Sequence, residues 1–231
     1  MAIGTPIDRG AKSRGYSSGD IVSDSFTPSA DSILIMIVVM RSTGLIPSGI
    51  TGHDGGTSWV QIGSTQSYGG HGASLWGCHV GGSPSAGTVD VSVATTAQGQ
   101  FCLTEVTGVD VSGTVANSFD DTDAATGYAS SVTRTISPGT NTTLGFWGSG
   151  FSRTLTPEGT VINQLNHPSA TIEAACDYDA TGDASPSCTL SSSGPYFSYA
   201  VELKEAGAGP ASNPKGPFTH PLFGPFRGPI S

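Results

Sequence analysis

Apolar positions along this chain come in short alternating or continuous runs rich in Val, Ile, Thr and aromatic residues. Clusters of Gly, Pro, Asn, Asp and Ser separate them. No window places apolar residues at i, i+3, i+4 and i+7 between helix caps, so no helix is expected. The runs predict strands over 20–26, 32–41, 58–67, 73–80, 88–95 and 100–109. After a polar crossover they resume over 128–136, 142–148, 160–166, 170–178, 187–191 and 197–204. In TVDVSVAT, Val89, Val91 and Val93 fall on one face and Asp90 and Ser92 on the other. Ile33–Val39 is apolar at every position, which predicts a central strand covered on both faces.

The two halves of the chain resemble each other. Phe26-Thr27-Pro28 with the following Ile33–Val38 matches Ile136-Ser137-Pro138 with Thr143–Gly148, and Gly55–Ile62 matches Pro157–Leu165. Ala73–Cys78 matches Ala170–Cys176, and Leu103–Val106 matches Ala200–Leu203. The order is preserved while the offset falls from 110 to 97, as shorter loops in the second copy would produce. One such sheet cannot bury its apolar face alone, whereas two packed face to face can. The expected fold is therefore all-β: an antiparallel, jelly-roll-like sandwich over 20–205, with half-repeats at about 26–110 and 136–204.

The ends read differently. Residues 1–19 carry Arg9, Lys12 and Arg14 and are expected to be a flexible N-terminal arm. Residues 206–231 form a Pro/Gly-rich arm that cannot be a helix or an interior strand. Within it Pro217-Phe218, Pro221-Leu222, Pro225-Phe226 and Pro229-Ile230 recur every four residues, with Phe223 beside the second pair. Proline stiffens such a backbone, so each repeat presents an apolar side chain to a partner. These nine residues are the candidate partner-binding site.

Composition narrows the classes of function. Charged residues are 12% of the chain, and 9 basic against 18 acidic residues leave a net charge of −9. That balance argues against nucleic acid and against anionic membrane surfaces. The start lacks the apolar core of a secretory signal, and the longest apolar run, Ile33–Met40, is far shorter than the about 20 residues of a spanning helix. Synthesis and folding in a cytoplasm are expected. Cys78, Cys102, Cys176 and Cys188 form no C-x-x-C pair and read as small buried residues, a Cys176–Cys188 bridge being the alternative.

Candidate chemistry is sparse, and neither catalysis nor a cofactor is expected. His53-Asp54 has no nucleophile elbow beside it and reads as a turn with a solvated His. Asp177, Asp179 and Asp183 resemble the opening of a calcium loop, but Cys188 stands where the bidentate carboxylate belongs, so a solvated acidic loop is the reading. Asp120, Asp121 and Asp123 form a second acidic cluster without ligand spacing. Trp59, Trp76 and Trp147, with Tyr68, Tyr128 and Tyr196, offer a sugar-stacking platform if exposed and core if not.

The succession Phe26–Ser32, Gly56–Ser64, Thr88–Val93 and Val106–Asp110 resembles β-sandwich structural proteins of tailed bacteriophages, in head-decoration and tail-associated components. The resemblance spans about 24–204 and leaves out the proline-paced segment. It implies a non-enzymatic virion protein, made in the host cytoplasm, that joins a particle through symmetry-repeated copies. The expected role is capsid decoration or cement, with the major capsid protein or tail proteins as partners. The alternative is a tail-fibre or tail-tip module that binds host carbohydrate.

Overall fold

The run Ile33–Arg41 forms strand β3, and its side chains from Ile33 to Met40 are at most 1% exposed. Alternation sends them to two different apolar clusters. Ile33, Ile35, Ile37 and Val39 enter one; Leu34, Met36, Val38 and Met40 enter another. The computed structural model describes residues 2–17, 19–41, 47–55, 57–93, 97–137, 141–151, 153–166 and 172–207.

Two large antiparallel sheets face each other. In the first, β3 lies between β8 (Ala97–Val106) and β6 (His71–His79), with β1 (Ile7–Ser17) beyond β8 and β5 (Val60–Tyr68) beyond β6. In the second, β10 (Thr143–Ser149) lies between β14 (Ser187–Leu203) and β13 (Glu173–Asp179). There β9 (Phe119–Thr133) lies beyond β14 and β12 (Thr160–Asn166) beyond β13. The orders β1-β8-β3-β6-β5 and β9-β14-β10-β13-β12 are the same, each strand of one half having its counterpart in the other. Where a jelly roll sends successive strands to opposite sheets, here each half of the chain completes its own sheet.

The outer faces are covered in the same manner. A small sheet of β2 (Ile21–Val22), β7 (Asp90–Ser92) and β4 (Gly49–Thr51) buries Val89, Val91 and Val93 against Leu34, Met36 and Val38. Over the second sheet, the ribbon of β9 and β14 shifts register between Thr189 and Gly194. Its far part, joined by β11 (Leu155–Pro157), lays Val132, Cys188 and Leu190 on Trp147. Backbone bonds repeat at the matched offsets: Phe26 N donates to Gly87 O and Ile136 N to Ala184 O. Contacts between the sheets also come in pairs, β1 on β12 with β5 on β9, and β8 on β13 with β14 on β6. The halves are thus related by an approximate two-fold axis through β3 and β10.

Ladder partners fix the equivalence. Ile37 pairs with Cys102 and Leu75, and Phe146 pairs with Tyr199 and Cys176. The matched Cys78 and Cys176 are therefore not counterparts, although they sit on counterpart strands. Cys78 faces the outer cluster and Cys176 the inter-sheet core, because an odd-numbered slip turns a strand over. All four cysteines are unpaired and buried.

Four expectations change. Residues 7–17, expected within a flexible arm, form β1 along β8, held by Arg9 Nε to Glu105 Oε2 at 2.7 Å as well as by the ladder. The second half of the polar crossover, from Phe119, belongs to β9, whose pairing with β14 needs no apolar periodicity of its own. The runs at 187–191 and 197–204 are one long strand. β4 and β11 were not expected at all; each is three residues long, too short to carry alternation.

Polar side chains bolt the sheets together. The Tyr199 hydroxyl donates to Ala73 O at 2.7 Å across the core. Asn163, 6% exposed, donates to Asp8 Oδ1, Gly10 O and Leu103 O at 2.9–3.2 Å, joining β12 to β1 and β8. Asn163→Ala removes these bonds and deprives the buried Leu103 carbonyl of its side-chain donor, an expected cost of about 1–3 kcal/mol, read as a lower urea midpoint at unchanged slope.

Candidate functional site

The two-fold relation creates two counterpart clefts where small sheet meets large sheet. Each lies between the segment after β4 or β11 and the loop before β7 or β14. One is centred on a buried carboxylate and the other on a histidine ring.

The first cleft, about 250 Å³, is acidic and lined by Glu158, Asp177, Asp179 and Asp183 together with Thr143 and Gly145. Asp177 is only 3% exposed. Trp147 Nε1 donates to its Oδ1 at 2.7 Å and Gly159 N to its Oδ2 at 2.9 Å. A Cβ on Gly145 or Gly159 would run into this carboxylate, so glycine makes the room. Burial pushes Asp177 up to about 6 despite those donors. The other oxygens serve their own loop. Asp179 Oδ1 accepts from Thr181 N and Oγ1, Asp183 Oδ1 from Ser185 N, and Glu158 Oε2 from Ser187 Oγ. The calcium-loop candidates Asp177, Asp179 and Asp183 are thus neighbours, but as one buried hydrogen-bond acceptor and two turn-closing side chains. Among the described residues no group of three or more His, Cys, Asp or Glu is arranged to hold a metal ion.

The second cleft, about 510 Å³, is lined by His53, Asp54 and backbone-rich residues between Val80 and Thr88. His53 takes a left-handed backbone (φ 55°), uncommon for a residue with a side chain. Its ring lies 4.4 Å from that of Phe26, with Nε2 shielded and without a hydrogen bond, so it is not the solvated turn residue expected. The Arg9 guanidinium also lies on Phe26, at 5.2 Å, while Glu105 holds Arg9 and Ser29 N. Asp54 is exposed and makes no relay with its neighbour.

The tryptophans are not a platform. Trp59 and Trp147 are 8% and 2% exposed, and half-buried Trp76 donates to Ser74 Oγ. The tyrosines differ: Tyr68 and Tyr128 are exposed, with ring centroids 6.5 Å apart. Nearby, Phe151 is exposed over His71, whose buried ring bonds Gly69 O through Nδ1. Burial lowers His71 and His79 and raises Glu173 to about 7. No sequence signal ties Trp147 to Asp177 or Tyr68 to Tyr128, since each pair forms between distant strands.

The candidate partner-binding residues Pro217, Phe218, Pro221, Leu222, Phe223, Pro225, Phe226, Pro229 and Ile230 lie outside the described residues. No described helix is long and apolar enough to cross a membrane. Compared with protein-family models, curated proteins and solved structures, the chain matches none of them.

Asp177 generates a pH prediction. Its folded-state value, about 6, lies above the about 4 of an unfolded carboxyl, so the buried charge opposes folding above pH about 6. As pH falls toward about 4 the folded form takes its proton first and gains stability. The lowered histidines act oppositely in the same window but cancel in a comparison with Asp177→Asn. Between pH 8 and pH 5 the wild type should gain about 1 kcal/mol over that variant, measured by thermal melts of both.

Proposed function

We propose that this chain is a non-enzymatic structural protein of a tailed-bacteriophage particle. Its role is capsid decoration or cement, and it docks on neighbouring subunits through the C-terminal segment. The supporting observation is the completeness of the sandwich. Within the described residues both faces of each large sheet are covered by chain between Ile3 and Leu203. The apolar side chains of residues 217–230 are then surplus to that core and suited to a partner. Because residues 7–17 belong to a sheet, docking falls to the C-terminal segment. Net charge −9 fits a protein partner better than nucleic acid.

Deletion of residues 216–231 should leave the melting transition unchanged and abolish incorporation into particles, scored by electrophoresis of purified virions. Normal incorporation of the truncated chain would refute this reading.

The exposed Tyr68–Tyr128 pair favours a second reading, carbohydrate binding by a tail-fibre or tail-tip module. On that reading Tyr128→Ala weakens binding of cell-wall sugars up to about tenfold in a calorimetric titration, and wild-type protein that gives no heat with any of them rejects it.

A further inference from the structure

The seams at the two sides of the sandwich are counterparts, yet among the described residues only one has a side chain joining its two edge strands, while at the other the Tyr199 hydroxyl of β14 lies 3.2 Å from Ser64 O on β5. Between edge strands β1 and β12, Asn163 bonds Asp8 and Gly10, and Gln100 Nε2 donates to Leu165 O. Between edge strands β5 and β9 lie two adjoining cavities of about 260 and about 230 Å³. The first is walled by Val60, Ile62, Val115 and Phe119, the second by Ile62, Leu75, Ala124 and Tyr199. The β9 lip carries Asp120, Asp121 and Asp123. Arg134 offsets Asp123 at 3.6 Å, whereas Asp120 and Asp121 accept hydrogen bonds from neutral groups, Asn141 Nδ2 and Ser137 N. The result is an apolar groove with an acidic rim.

We propose that this groove receives the C-terminal segment, residues 208–231, of a second copy of the chain. The inference rests on the assembly reading above and names the receiving surface. Three observations carry it. The segment supplies the complementary chemistry: Phe218, Leu222, Phe226 and Ile230 at a fixed interval, with Lys215 and Arg227 and no acidic side chain, in a protein of net charge −9. Both walls are sheet edges without a further strand among the described residues, so their backbone groups can meet an extended peptide. Prolines in the segment donate nothing there, but its carbonyls accept.

Direction selects a second copy over the same chain. β14 runs along the groove from Tyr199 to Leu203, which pairs with Phe119 at its end. Ala206 N then donates to Gly108 O, and Gly108 lies against Ala2 and Ile3 near the start of β1. At Ala206 the described chain thus lies at the end of the groove, beside Gly108 and on the side of Ala2 and Ile3.

The test uses full-length chains. Val60, 47% exposed, lies on the groove lip, and Val161, 45% exposed, lies on β12, the edge strand of the opposite seam, where it serves as the control. Chains carrying Val60→Cys are mixed with chains carrying Leu222→Cys and treated with a short bismaleimide. The native thiols are buried, with Cys78 and Cys188 pushed up to about 12, and stay silent. A linked pair of chains is expected, lost with Phe218→Ala/Phe226→Ala in the segment and absent with Val161→Cys in place of Val60→Cys.

No link, or an equal link at Val161→Cys, would overturn the proposal. So would an intramolecular link in the double variant Val60→Cys/Leu222→Cys at high dilution, or a link in intact particles from Val60→Cys to a different protein. If truncation of 216–231 abolishes incorporation while Val60→Cys stays unlinked, the groove fails and the assembly reading stands. If the truncated chain incorporates normally, the assembly reading itself fails.

Discussion

Covering both faces of strands that are apolar on both faces is the constraint on which this architecture depends. β3 has no polar side chain from Ile33 to Met40 to turn toward water, so its sheet needs a layer on each side. The inner face is covered by the other large sheet and the outer face by a small one. The second half repeats the solution with a folded ribbon, Trp147 and Ala175 taking the outward positions. Four layers follow: the small sheet, the two large sheets, and the folded ribbon of β9 and β14 with β11. Each layer is antiparallel, so hairpins and short crossings connect them.

Close packing between the large sheets is paid for in polar groups that burial strands unless they meet. The solutions are asymmetric although the backbone is nearly symmetric. Tyr199 and Cys102 occupy counterpart positions, but only the tyrosine reaches across to the opposite sheet with a hydroxyl. Asn163 stands where the other half has Ile62, and this exchange closes one seam and leaves the other lined with apolar side chains. The clefts diverge likewise, one around the Asp177 carboxylate and one around the His53 ring. A repeated frame thus carries unlike surfaces.

Much of this frame is legible along the chain. Alternation in Thr88–Thr95 fixes the inward face of β7, and the unbroken apolar run of β3 calls on its own for two covering layers. The four matched segment pairs fall on counterpart strands, which single-strand propensity would not reveal. What alternation cannot carry is register: Cys78 and Cys176 align in sequence and face opposite layers, since a slip by an odd number of residues costs nothing in composition. Polar β1 and most of β9 carry no local signal because neighbouring ladders, not their own side chains, make them strands.

The sequence by itself determined an all-β chain, its internal doubling, its central strand and its distinctive proline-paced end. These properties are written in periods and in runs, which local chemistry enforces. Tertiary structure alone decided which strands form edges, that Asn163 joins the edge strands of one seam while Ile62 lines a cavity at the other, and that Asp177 turns inward to Trp147 instead of outward to a cation. Those outcomes depend on pairs of residues from distant strands, and their free energies arise only once the sheets have met.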